Sequence, residues 1–140
     1  MRIIRNVACA LTVGVFLALA IGSSSEKKTE IEVANVAPQV TIGARELFAD
    51  YKANEIAADQ KYKGRVLQVT GTVDSIAKDI TSTMYVTLKG DQFIGSIQCF
   101  FDDAHANQLA GLQKGMKVSV KGKCGGKMMN VLLNGCVLVR

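Results

Sequence analysis

Between Arg65 and Arg140 the chain alternates apolar and polar residues in short runs separated by turn-forming residues. The first run, Arg65 to Ile76, sets Leu67, Val69 and Val73, with a gap at Gly71, on one face and Gln68, Thr70, Thr72 and Asp74 on the other. A period of two is that of a half-buried strand, and a glycine within it permits the sharp bend that a small barrel needs. Met84 to Leu88 and Ile94 to Phe101 repeat the alternation, with Lys89-Gly90-Asp91 as the turn between them. Residues 102–112 change character: helix formers follow an acidic residue able to cap them, and Gly111 stops the run. Strict alternation returns from Met116 to Lys123, with Met116, Val118 and Val120 on the inward face and Lys117, Ser119 and Lys121 outward. Val131 to Val139 is almost continuously apolar, so its pattern assigns no facing, and Asn134-Gly135 marks a bulge.

Three strands, a short helix and two further strands form the order of an OB-fold, the small barrel whose closure removes the edges that short strands would otherwise expose. The expected class is therefore mainly β, a five-stranded OB-fold barrel with a leading α-helix and a short helix between strands three and four. The leading helix is expected from Ala44 to Gln60, capped by Thr41 or Gly43, with Leu47, Phe48 and Tyr51 forming an apolar stripe over its first half. Such a stripe needs a surface to bury it, and the bottom of the barrel supplies one.

The N-terminus has another pattern. Arg2 and Arg5 precede an apolar run from Val7 to Gly22, after which Ser23 to Lys28 turns polar at once. At ~1.5 Å per residue this run spans about 24 Å, short of the roughly 30 Å bilayer core, and small residues end it, so it reads as a secretory signal cleaved after Ala20 or Gly22. The alternative is an uncleaved N-terminal anchor, the single membrane contact that the sequence offers. No cysteine follows the run, and Cys9 lies too early to be a lipoprotein's acylated residue. The expected organisation is a signal over 1–22, a flexible linker over 23–40 and one OB-fold domain over 41–140, exported to the bacterial periplasm or cell envelope.

Charge and cysteines add detail. The formal net charge is +5, and setting aside Arg2 and Arg5 leaves +3. No acidic residue follows Asp103, whereas Lys114, Lys117, Lys121, Lys123, Lys127 and Arg140 do, which predicts a positive stripe along the fourth strand. The stripe is either a solubility device or an anion-binding edge for single-stranded nucleic acid or another acidic polymer, and Lys117, Lys121 and Lys123 are its candidate ligand residues. Cys99, Cys124 and Cys136 remain in the expected mature chain, and an oxidising compartment favours one pair. Cys124 with Cys136 would tie strands four and five, provided that residues 125–130 fold back; Cys99 with Cys136 would join strands three and five. A single histidine, His105, without Cys-x-x-Cys spacing, argues against a metal site, and no motif calls for a cofactor.

Aromatic residues mark a second candidate surface. Tyr85, Phe93, Phe100 and Phe101 lie on strands two and three or in their turn, where OB-folds stack bases or sugars. Tyr85 is out of phase with Met84, Val86 and Leu88, and Phe100 and Phe101 face opposite ways, so one of those two belongs to the core. Tyr85 and Phe93 are the candidate stacking residues. Catalysis finds no support: His105 has no nucleophile beside it, Asp102-Asp103 reads as a helix cap, and Glu55 and Asp59 lie among lysines on a helix face.

The stretches Leu47 to Asp59, Tyr62 to Leu67, Thr70 to Val73 and Lys114 to Gly122 resemble the tRNA_anti-like group of exported bacterial OB-fold proteins, with the Tyr-x-x-Asn-Glu helix and the Tyr-Lys-Gly turn as the specific features. The resemblance spans roughly Ala44 to Val139. It implies a barrel with a leading helix, export often as a lipoprotein, and a bridge between Cys124 and Cys136; it brings no catalytic residues. The function expected is that of an exported OB-fold binding module for nucleic acid or another anionic polymer. The alternative is a cell-envelope module that docks another protein and binds no polymer.

Overall fold

The structure, a computed structural model, describes residues 33–140. The expected signal falls outside these residues, as does most of the expected linker. From Val40 onward the elements are, in order, β1 (Val40–Gly43), α1 (Ala44–Ala53), α2 (Glu55–Tyr62), β2 (Val66–Lys78), β3 (Met84–Lys89), β4 (Ser96–Phe101), a 3₁₀ turn (Asp103–His105), α3 (Ala106–Ala110), β5 (Lys117–Met128) and β6 (Asn130–Val139). The sheet runs β1-β2-β3-β4-β6-β5, and a further pairing of β2 with β5 closes it. Without β1, this is the five-stranded OB barrel.

Closure depends on the length of β2. Its first half, Val66 to Thr72, pairs antiparallel with β5, while Val73 to Lys78 pairs with β3. A strand serving two partners in succession must coil, and the register shift between Val73 and Ser75 marks the extra residue, Asp74, that lets it do so. Gly71 serves a further purpose. A Cβ there would lie 2.7 Å from the Cβ of Ala44, so its absence lets the start of α1 sit against the strand. The other edge of β2's first half would be open, but β1 pairs with it in parallel, Val40 opposite Leu67 through Gly43 opposite Thr70. An exposed edge is thereby covered from within the chain.

Inward residues follow the alternation. Leu67, Val69, Val73, Val86, Leu88, Ile97, Val120, Val131 and Leu133 are fully buried. Facing on β6, which its composition conceals, is set by register. Val131 and Leu133 pair with Ile97 and Cys99 across β4, and Gly135, at φ 60°, forms the expected bulge that returns Cys136 to the interior. β5 runs further than its pattern predicts. It passes through Gly125-Gly126 with a second bulge, and the hairpin turns at Met129, whose φ is also 60°.

The leading helix is not continuous. Asn54 breaks it at φ −159°, and its side-chain oxygen accepts a hydrogen bond from the Ala57 N–H at 3.0 Å, capping α2. Helix-compatible composition conceals the break because asparagine costs little in a helix yet is among the best N-caps. α1 buries Leu47, Phe48 and Tyr51, and α2 buries Ala58 and Tyr62. Replacing Asn54 with Ala should lower the unfolding free energy of the full-length chain by about 1 kcal/mol, read as a shift in urea midpoint at constant slope.

Residues 33–40, the end of the expected linker, pack on the barrel. Val33 is buried, and Gln39 exchanges backbone and side-chain hydrogen bonds with Val66.

Candidate OB-fold binding face and basic wall

The outer face of β2, β3 and β4 is built in rows by the ladder register. Ala77, Tyr85 and Phe100 form one row, Ser75, Thr87 and Gln98 the next, and Lys89 with Ser96 the third. Met84, Val86 and Leu88 point into the core, so Tyr85 faces outward as its phase predicts. Its ring meets that of Phe100 edge to face, with centroids 6.1 Å apart and planes at 62°. Phe101 is the core member of the phenylalanine pair, and Phe100, not singled out as a site residue by the alternation, becomes the partner of Tyr85.

Around this pair lies a hydrogen-bonded polar floor. Ser75 and Thr87 share a 2.6 Å hydroxyl contact, and the Asn130 amide donates to the Gln98 oxygen at 3.2 Å while accepting from the Ser96 N–H at the same distance. Thr87 itself is buried, so the edges held beside the aromatic surface are the Ser75 hydroxyl and the Gln98 and Asn130 amides. Such a surface suits stacking with directed hydrogen bonds and lacks a nucleophile poised beside a base.

The other candidates do not join this face. Phe93 is 89% exposed in the turn between β3 and β4, next to the equally exposed Ile94. Lys117, Lys121 and Lys123 lie on β5, opposite Thr72, Gln68 and Val66 of β2, on the barrel wall away from Tyr85. Lys121 is already engaged, because its ammonium donates to the Ala34 and Val36 carbonyls at 3.1 and 2.9 Å. Lys114 pairs with Asp74, and Lys127 with Glu55, each at 3.6 Å. The stripe is therefore partly spent within the fold.

Cys99, Cys124 and Cys136 are all buried, and among the described residues no disulfide joins Cys124 to Cys136. The reason is register. Cys124 stands opposite Leu133, and the bulge across Lys121 and Lys123 sets Cys136 beside Gly122 instead. The Cys124 sulfur meets the Tyr51 hydroxyl at 3.4 Å, and that hydroxyl donates to Asp59 at 3.1 Å. Burial and the neighbouring Cys124 hold the Tyr51 phenol above its ordinary pKa. Next to it, the Tyr62 hydroxyl donates to Asp50 at 2.5 Å, and that bond, with help from Lys61, holds the Asp50 carboxyl below its usual range. These titratable groups tie α1, α2 and β5 together. Among the described residues no group of His, Cys, Asp and Glu could hold a metal, and no helix is long and apolar enough to cross a membrane.

The family model for tRNA_anti-like proteins matches residues 1–137. The chain belongs to the tRNA_anti-like family. No curated protein matches it in sequence. Among solved structures, it resembles a protein of Klebsiella pneumoniae subsp. pneumoniae provisionally named a nucleic acid-binding lipoprotein, at 18% identity and TM-score 0.58, covering 79% of this chain and 97% of that one. At that identity the likeness shows the fold. An OBody bound to hen egg-white lysozyme matches at 13% identity and TM-score 0.43, covering 57% of this chain and 86% of that one. The OB barrel of this tRNA_anti-like protein thus rests on element order, closure and family together.

Proposed function

We propose that the protein is an exported, non-catalytic binding module that takes single-stranded nucleic acid, or a similar anionic polymer, on the β3–β4 face. The observation that carries this reading is the outward Tyr85–Phe100 pair over a fixed polar floor, the position at which OB-folds stack ligand rings. Family membership supports it, as does the name of the Klebsiella protein, which also supports an envelope location. Stacking dominates over charge here, since Lys89 is the cation set in the ladder rows of the face. Fluorescent oligonucleotide titrations over a range of salt should give a shallow dependence, with a slope of about 0.7 per phosphate contact. Replacing Lys117, Lys121 and Lys123 together with Gln should leave affinity within about twofold, since these residues lie on another wall; a tenfold loss would move the site to the basic stripe.

A docking module for an envelope protein is the second reading, favoured by one observation. Asn130 ties the β5–β6 hairpin to Ser96, next to the β3–β4 turn, so that Met128 and Met129 emerge at the same end of the barrel as Phe93 and Ile94, all four strongly exposed. An apolar interface of that kind would bind with little response to salt.

A further inference from the structure

We propose that the cleft between α3 and the start of β5 binds a small amphipathic anion: a carboxylate or phosphate monoester carrying a short apolar chain. The cleft has a volume of about 590 Å³, within the range of small-molecule sites. One side is apolar, formed by Leu112, Val118 and Leu138, partly buried residues that continue the barrel core outward. Lys117 and Arg140 also line the cleft, and no acidic side chain does. Asp74, two residues beyond Thr72, the cross-strand partner of Lys117, is paired with Lys114 and does not neutralise Lys117.

On the same outward face of β5 as Lys117 lie Ser119 and its cross-strand partner Thr70, whose hydroxyl oxygens are 2.7 Å apart. Two hydroxyls carry two protons and only one is used between them, so the pair retains one donor for an anion. A purely apolar guest would bring Lys117 and Arg140 no partner, and a bare inorganic anion would leave Leu112, Val118 and Leu138 wet. A single molecule with a charged head and an apolar tail meets both demands. The cleft lies on the β2–β5–β6 wall, so its occupancy is independent of the Tyr85–Phe100 face.

Octyl phosphate, kept below its micelle concentration, would be titrated into the ¹⁵N-labelled full-length chain, with octanoate in parallel to tell a phosphate head from a carboxylate head. The expected result is saturable shifts of the Val118, Ser119 and Leu138 amides with at least one of the two. Affinity should fall about tenfold in a Lys117→Gln, Arg140→Gln variant and stay unchanged in a Tyr85→Ala, Phe100→Ala variant. Absence of saturable shifts with both probes, undiminished affinity in the Lys117→Gln, Arg140→Gln variant, or equal binding of octanol would each overturn the proposal.

Discussion

Replacing Gly95 with Ala should cost about 2–6 kcal/mol of stability, the largest loss expected from adding one methyl group to this protein. Two penalties combine. Gly95 sits at φ +120°, where a side chain is strained, and its Cβ would fall 2.0 Å from Cζ of Phe48. The ring cannot swing aside, because a Cβ on Gly90 would meet the Phe48 Cβ and Cγ at 2.8 and 2.7 Å, placing the base of the side chain equally close to the turn. Phe48 is thus clamped between two glycines of the β3–β4 turn, and this clamp holds α1 to the barrel. Urea denaturation of the full-length chain should show a lower midpoint for Gly95→Ala. In a Phe48→Leu background the added cost should shrink towards the backbone part, about 1–3 kcal/mol. A Gly95→Ala variant as stable as the parent would show that the turn does not clamp the ring.

Much of this architecture is legible in the residues, and the reason is the period of two. Strands β2 to β5 each bury one face, so Leu67, Val86, Ile97 and Val120 announce their direction without tertiary information. Two features are hidden because the residues that mark them suit another structure equally well. Gly125-Gly126 looks like a turn, yet a bulge carries β5 through it and moves the hairpin to Met129. Asn54 looks like a tolerable helix residue, yet the chain bends there so that α1 and α2 can each bury a tyrosine.

The candidate site divides in the same way. The outward phase of Tyr85 is local and readable, whereas the choice between Phe100 and Phe101 needs the β3–β4 register, which sets Phe100 opposite Tyr85 and Phe101 opposite the buried Met84. Lysine alternation along β5 is equally plain. Nothing local shows that Lys121 will donate to carbonyls some eighty-five residues earlier in the chain, at Ala34 and Val36. The pairing of Cys124 with Cys136, implied by family resemblance, is not seen among the described residues, where a bulge sets Cys136 against Gly122 and Cys124 opposite Leu133. Composition shows that a bulge is present, but register decides what it brings together.

The aromatic pair carries the second large effect. Base–aromatic stacking is worth about 1–3 kcal/mol per base, so losing the Tyr85–Phe100 surface should weaken single-strand binding by roughly ten- to a hundredfold. Both side chains are half-buried on the outer face, and neither belongs to the core that holds the barrel. The double variant should therefore stay folded, with a urea midpoint close to that of the parent. The direct measurement is a titration of a fluorescent single-stranded oligonucleotide with the full-length protein and with its Tyr85→Ala, Phe100→Ala variant at one low salt concentration. Saturable binding by the parent and at least a tenfold weaker Kd for the variant is the expected result; no binding by the parent, or equal binding by both, would contradict the β3–β4 face as a nucleic-acid site.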